Sequence, residues 1–183
     1  MLKKIYKNTS VVVWDIMDKE IVDETIFKTI KKRDRLMLAL MARGGIRIGE
    51  VLNLKPMDVN ERKLIIRDPK SGKEHEVVFI PQKIADRLKA YIEHKGIESE
   101  HYIFPICYET ARVMVRKAGE RAGIRLRPHD LRRHSATYAS RSGVPIEIVS
   151  KIILRHTNLS TTQRYLGKIS DVEAIRWIEN IYG

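Results

Sequence analysis

The chain has 183 residues, of which 43% are hydrophobic, enough for one buried core and too apolar for a disordered chain. Lysine and arginine outnumber aspartate and glutamate by 35 to 23, a formal net charge of +12, and that balance favours polyanionic partners. A single cysteine, Cys107, excludes an internal disulfide framework and fits a reducing compartment, and no apolar run reaches membrane-spanning length, so the expected location is the cytoplasm.

Residues 1–19 carry no helical period and read as an arm or linker. Within it Val11-Val12-Val13-Trp14 is a candidate packed strand, too short for a signal peptide. Residues 21–43 repeat apolar side chains at helical spacing, which predicts two helices broken near Asp34 and ended by Gly44-Gly45. A short helix over 47–54 stops at Pro56.

The period then changes. Segments 63–68 and 74–80 are rich in Ile and Val and flank Pro69-Lys70-Ser71-Gly72, which predicts a β-hairpin. Pro81 opens a helix with Ile84, Leu88, Tyr91 and Ile92 on one face, and a second apolar stripe runs from Ala111 to Ala122. Helices are expected over 129–141, 145–154 and 158–165. Ser170-Asp171-Val172-Glu173 has the form of a capping box opening a last amphipathic helix. The expected fold class is mainly α with a small antiparallel β-sheet (α+β).

The catalytic signatures of many enzyme classes are missing: no Walker-type loop, no HExxH, no cysteine cluster with zinc spacing. The six histidines are scattered, and the carboxylates show no convergence of the kind a metal-dependent nuclease needs. No metal and no cofactor is expected. Chemistry on a phosphate would then rest on side-chain cations, and these sit at informative places. Arg47 follows two glycines at a helix start, with Glu50 one turn on. Lys70 lies at the hairpin tip. His129 and Arg132 are three apart and share a helix face, and His156 precedes a short helix carrying Tyr165.

Four stretches, Gly45-Ile46-Arg47-Ile48-Gly49-Glu50, His129-Asp130-Leu131-Arg132, Leu154-Arg155-His156 and Gln163-Arg164-Tyr165, resemble the tyrosine recombinases, or phage integrases. The resemblance runs from about Ile21 to Tyr182. Each motif is weak by itself; their order and spacing together are specific. The resemblance implies the catalytic-domain fold over 20–183 and site-specific recombination of double-stranded DNA through a 3′-phosphotyrosine intermediate. Arg47 and Arg132 would grip the phosphate oxygens and stabilise the charge that attack adds. Tyr165 would be the nucleophile, activated from a free pKa near ~10. Lys70 would protonate the leaving 5′-oxygen, with Lys73 as competitor. His129 and His156 would orient the phosphate and handle protons, and Glu50 would hold Arg47 or His129.

Simpler roles compete at each position. Arg47 could merely bridge Glu50, the hairpin lysines could be solvated, His129 and His134 could be structural, and Tyr165 could pack with Leu159 and Leu166. Only the joint order favours the catalytic reading. Arg121, Arg125, Arg127 and Arg133 are expected to form a phosphate-binding surface, and Arg155, where the family often has glycine, to add a contact to DNA. Family members usually carry an N-terminal core-binding domain, which residues 1–19 cannot replace. The expectation is a catalytic-domain fragment of a longer protein or a naturally short member, with the core-binding domain absent from this sequence. By resemblance the C-terminal helix would dock on a neighbour and join protomers into a tetramer on nucleoid DNA; the alternative is that it folds back on its own core. The alternatives are a type IB topoisomerase-like activity and a non-catalytic DNA-binding module that has kept the fold.

Overall fold

Helix α2 (Lys32–Gly44) is the centre of the unit Met17–Leu166, and its sequence explains why. Met37, Leu38, Leu40 and Met41 are fully buried around its circumference, so it is enclosed by other elements rather than seated on one face. The computed structural model describes residues 17–69, 72–166 and 171–182, without the side chains of Arg164, Tyr165 and Glu173. The expected strand at 11–14, Lys70 and the Ser170 cap lie outside the described residues. The chain divides into two units, Met17–Leu166 and a second made of 1–16 with 167–183, each described by itself.

In the larger unit α1 (Lys19–Lys28) precedes α2. The break falls at 29–31, a few residues before Asp34, because Thr29 and Lys31 adopt extended backbone there. Gly45 caps α2 in the left-handed region at φ 60°. Helix α3 (Ile48–Leu52) follows, then a 3₁₀ turn at Pro56–Asp58. The sheet has three antiparallel strands among the described residues, in the order β1 (Val59–Asn60), β2 (Lys63–Arg67), β3 (His75–Phe79). The hairpin is β2–β3, with Ile65 opposite Val77. Leu64, Ile66 and Val78 face the core, while the neighbouring positions face out, as a sheet with one wet side requires.

Helix α4 (Gln82–Lys95) packs on α2, α5 (Tyr108–Arg121) on α1 and α3, and α6 (Pro128–Arg141) on α2. The segment expected as one helix over 145–154 is instead a single turn, α7 (Ile146–Ile148), running into a π-turn at Val149–Ile153. The widened turn continues as Leu154 N–H donates to Val149 O at 2.9 Å and His156 N–H to Ser150 O at 2.9 Å. Arg155 between them sits at φ 51°, a conformation unusual for a side chain with a Cβ. Helix α8 (Leu159–Leu166) closes the unit, and Leu166 packs on the small cluster of Ala136, Val149 and Leu154.

The second unit contributes helix α9 (Asp171–Tyr182). Its apolar residues Val172, Ile175, Ile178 and Ile181 are all exposed. No helix among the described residues is long and apolar enough to cross a membrane.

Candidate active site

Two neighbouring clefts carry the polar chemistry. The first, of about 550 Å³, is lined by Arg47, His129 and Arg132 together with Arg67, Arg112 and Arg127. Five guanidinium groups give it a cationic lining, in which Arg47, Arg67, Arg112 and Arg127 each also pair with a carboxylate. The second, of about 470 Å³, is lined by Lys73, Glu76, Lys151, Arg155 and His156.

Arg132 is the most constrained of these side chains. It is 1% exposed, and its two terminal nitrogens donate to backbone carbonyls, Nη1 to Gly45 O and Nη2 to Leu154 O. Two of its five N–H bonds are spent in this way. Helix α6, the end of α2 and the turn before His156 are thereby tied at one guanidinium. Gly45 has a matching constraint: a Cβ there would lie 2.9 Å from both Ile153 O and Ile153 Cγ2.

Arg47 stands at the start of α3. Its backbone N–H donates to Glu50 Oε2 at 2.9 Å, and its Nη1 donates to Glu50 Oε1 at 2.6 Å. The simple reading of Arg47 as a partner of Glu50 is therefore correct, and it coexists with a place in the cationic cleft. Glu50 also accepts from Arg155 Nη2. Burial works to raise the Glu50 carboxyl, but the charge of Arg155 and the hydrogen bonds and charge of Arg47 outweigh it and hold the pKa below the usual carboxylate range. Glu50 is thus a fixed anion between two arginines.

Three histidines, His129, His134 and His156, are biased toward the neutral form. The pKa of His129 is lowered by partial burial, then by Arg132 and Arg133. His156 is lowered to about 4, by burial first and then by the charges of Arg132, Arg47, Arg155 and His129. Its Nδ1 lies 3.0 Å from Thr162 Oγ1 on α8. His134 is structural: its Nδ1 donates to Met17 O at 3.0 Å and its Nε2 meets Arg43 Nη1 at 3.2 Å. Tyr165 belongs to α8, one turn beyond Thr162.

A histidine and two arginines in one cationic cleft, a second histidine in the adjoining cleft, and a tyrosine on the helix that follows make the ordered set the sequence announced. Residues 15–170 match the phage integrase family. The chain belongs to that family. The tyrosine recombinase XerA of Thermococcus onnurineus is 39% identical over 150 residues, covering 77% of this chain and 53% of the relative. A crystal structure of XerA recombinase superposes with a TM-score of 0.79 at 24% identity, over 98% of this chain and 67% of that one. A XerH site-specific recombinase bound to palindromic difH substrate, in a post-cleavage complex, superposes at 0.72 with 20% identity, over 92% and 53%. The chain spans about half the length of the curated relatives it matches.

Within this integrase-family domain the expected phosphate-binding surface divides. Arg121, Arg125 and Arg127 are exposed, and Arg127 lines the cationic cleft. Arg133 is only 9% exposed, because the face of α6 that carries it packs inward. Arg155, expected as a DNA contact, is 7% exposed and bridges two carboxylates, Glu50 and Glu76, so its guanidinium is part of the interior. Sequence reasoning missed Arg67 and Arg112, which line the cleft while pairing with Asp58 and Glu109. Arg67 shares a strand face with Lys63 and Ile65 at period two, a signal that could have found it. Thr162 and Ser150 were also missed.

Proposed function

We propose that this domain cleaves and rejoins duplex DNA at a specific site by transferring a backbone phosphate to Tyr165. The phenol oxygen attacks phosphorus, the bond to the 5′-oxygen breaks, and a 3′-phosphotyrosine with a 5′-hydroxyl results. Religation is the same step reversed, with the bond energy kept in the ester. The observation that carries the reading is the convergence of Arg47, Arg132 and His129 on one cleft. Guanidiniums anchored on carbonyls, as Arg132 is, or on a carboxylate, as Arg47 is, stabilise the charge of the pentavalent state without reorganising. His129 and His156, neutral near pH 7, serve as hydrogen-bond partners and proton acceptors on the nucleophile's side.

A hairpin lysine supplies the proton for the leaving oxygen, Lys70 by resemblance or Lys73, which lines the cleft of His156. The exposed arginines 121, 125 and 127 grip flanking phosphates. The exposed apolar face of α9 supports docking on a second copy, and so assembly on paired DNA sites on the nucleoid. Residues 20–183 constitute the catalytic domain in this reading.

A nicked suicide duplex, from which the cleaved strand diffuses away, tests the proposal. Wild type should accumulate a covalent adduct, and Tyr165→Phe should form none while binding DNA equally. An adduct in the Phe variant would move the nucleophile elsewhere; no adduct with wild type on any duplex would reduce the domain to a DNA-binding module.

A further inference from the structure

Thr162 is fully buried on α8, although threonine has no packing need that valine would not meet. Its hydroxyl is spent on two polar contacts. Oγ1 donates to Ser150 Oγ at 2.8 Å and lies 3.0 Å from His156 Nδ1. Ser150 is itself 2% exposed, and its carbonyl accepts the backbone N–H of His156 at 2.9 Å. The π-turn therefore holds the histidine at its backbone, while the threonine holds its ring.

We infer that Thr162 and Ser150 form a hydroxyl relay that fixes His156 in one tautomer, with the proton on Nδ1, so that Nε2 takes the proton of the attacking tyrosine. A hydroxyl has one proton to give. Once Thr162 donates it to Ser150, its oxygen can only accept from the ring, which requires Nδ1–H. A neutral imidazole with Nδ1–H presents a lone pair at Nε2. In the DNA-free protein the surrounding guanidiniums favour a lone pair over an N–H at Nε2, and a phosphate seated on Arg47 and Arg132 offsets the charge that would oppose an imidazolium.

The inference rests on the proposed cleavage reaction and gives it a direction of proton flow. The phenol proton passes to His156 Nε2 as the Oη–P bond forms. The P–O5′ bond breaks, and the 5′-oxygen takes a proton from the ammonium of a hairpin lysine. The products are phosphotyrosine, a 5′-hydroxyl, an imidazolium and a neutral lysine, and religation returns both protons. Thr162 is fully buried, out of reach of DNA, so its role is positioning. It stands one turn before Tyr165, so the helix that carries the nucleophile also sets the base that would deprotonate it.

Long-range ¹H–¹⁵N spectra of the DNA-free protein at pH 7 read the tautomer directly, with His156→Gln identifying the resonance. The expected result is a protonated Nδ1 and an unprotonated Nε2. The opposite pattern would mean that Ser150 donates to Thr162 and Thr162 to the ring, and would overturn the inference. Thr162→Val removes the relay at constant shape, and Thr162→Ser keeps it. The valine variant should lose the Nδ1–H tautomer and cleave about 10–100-fold more slowly, the usual cost of losing a group that orients an active imidazole.

DNA affinity should change little in the valine variant, whose melting temperature should fall by a few degrees because the buried Ser150 hydroxyl loses a partner. The serine variant should restore both tautomer and rate. A 5′-thio leaving group should not rescue the valine variant, because the defect lies on the nucleophile's side. Valine with wild-type rate and tautomer would overturn the relay. The spectra read the relay without DNA, and adduct formation by wild type reads the cleavage chemistry, so each can fail alone.

Discussion

Arg155 Nε donates to Glu76 Oε2 at 2.8 Å, joining the turn before His156 to the second strand of the hairpin. The same guanidinium reaches Glu50, which holds Arg47. One buried side chain therefore connects the hairpin, the first arginine of the cleft and the backbone next to the second histidine.

Removing it has two opposed effects. Arg155→Ala leaves the Glu50 and Glu76 carboxylates buried with one partner fewer, a change that costs about 3–5 kcal/mol when a buried pair is broken outright. Arg155→Gly suffers the same loss but relieves the left-handed backbone at φ 51°, worth about 1 kcal/mol. Urea unfolding should rank wild type above the glycine variant and glycine above alanine. Adding Glu76→Gln to either should restore part of the loss, with a coupling of at least about 0.5 kcal/mol. Additive effects would show that the buried pair is not a coupled unit.

Arg132→Lys separates grip from anchoring. An ammonium on a flexible stem cannot reach Gly45 O and Leu154 O at once, whereas the planar fork does. Cleavage of the suicide duplex should fall by about 10²–10³, as when a preorganised donor is lost, while DNA affinity falls less than about tenfold. Equal losses in both would assign Arg132 to binding alone.

The pH dependence follows from His156, whose pKa lies near 4 in the DNA-free protein against an ordinary 6.5. Between those values the unfolded chain holds more protons than the folded one, so stability rises with pH across the window and is lost as pH falls through it. A DNA phosphate seated on Arg47 and Arg132 offsets two of the charges that depress His156 and raises its pKa. Binding should therefore take up protons at pH 5–6. Calorimetry in buffers of different ionisation enthalpy measures this uptake, and a zero result at pH 5 would rule out a phosphate within reach of the ring.

Gly45→Ala probes the junction from the backbone side. The residue lies at φ 60°, where an added Cβ costs about 1–2 kcal/mol by itself, and the 2.9 Å approach to Ile153 O adds overpacking of about 1–3 kcal/mol. Thermal unfolding should show the destabilisation. Cleavage should drop more steeply than the folded fraction, because the shift displaces an acceptor of Arg132; parallel decline would mean the site tolerates the movement.

What the sequence revealed follows the range of the forces involved. Arg47 with Glu50 and His129 with Arg132 are three apart, so helical geometry sets their relation locally, and their order along the chain carried the rest. The interior role of Arg155 was illegible because its partners lie 79 and 105 residues away. The hairpin showed through its alternation, while β1, at two residues, is too short to hold a period. The π-turn was read as α-helix because its apolar spacing over one turn is indistinguishable from helical spacing, and only the hydrogen bonds to Val149 and Ser150 carbonyls separate the two.

The acceptors of Arg132 are carbonyls, and every amino acid has one. Side-chain substitution at 45 or 154 cannot delete them; it can only move them. The rim of the cleft could thus be rebuilt for a new DNA target at Arg112 and Arg127, with Arg67 kept as the partner of the buried Asp58, while the central guanidinium kept its seat. A design library that leaves Gly45 fixed and varies the rim should retain strand cleavage in most members that fold, whereas one that varies Gly45 should lose it even where every catalytic side chain is intact.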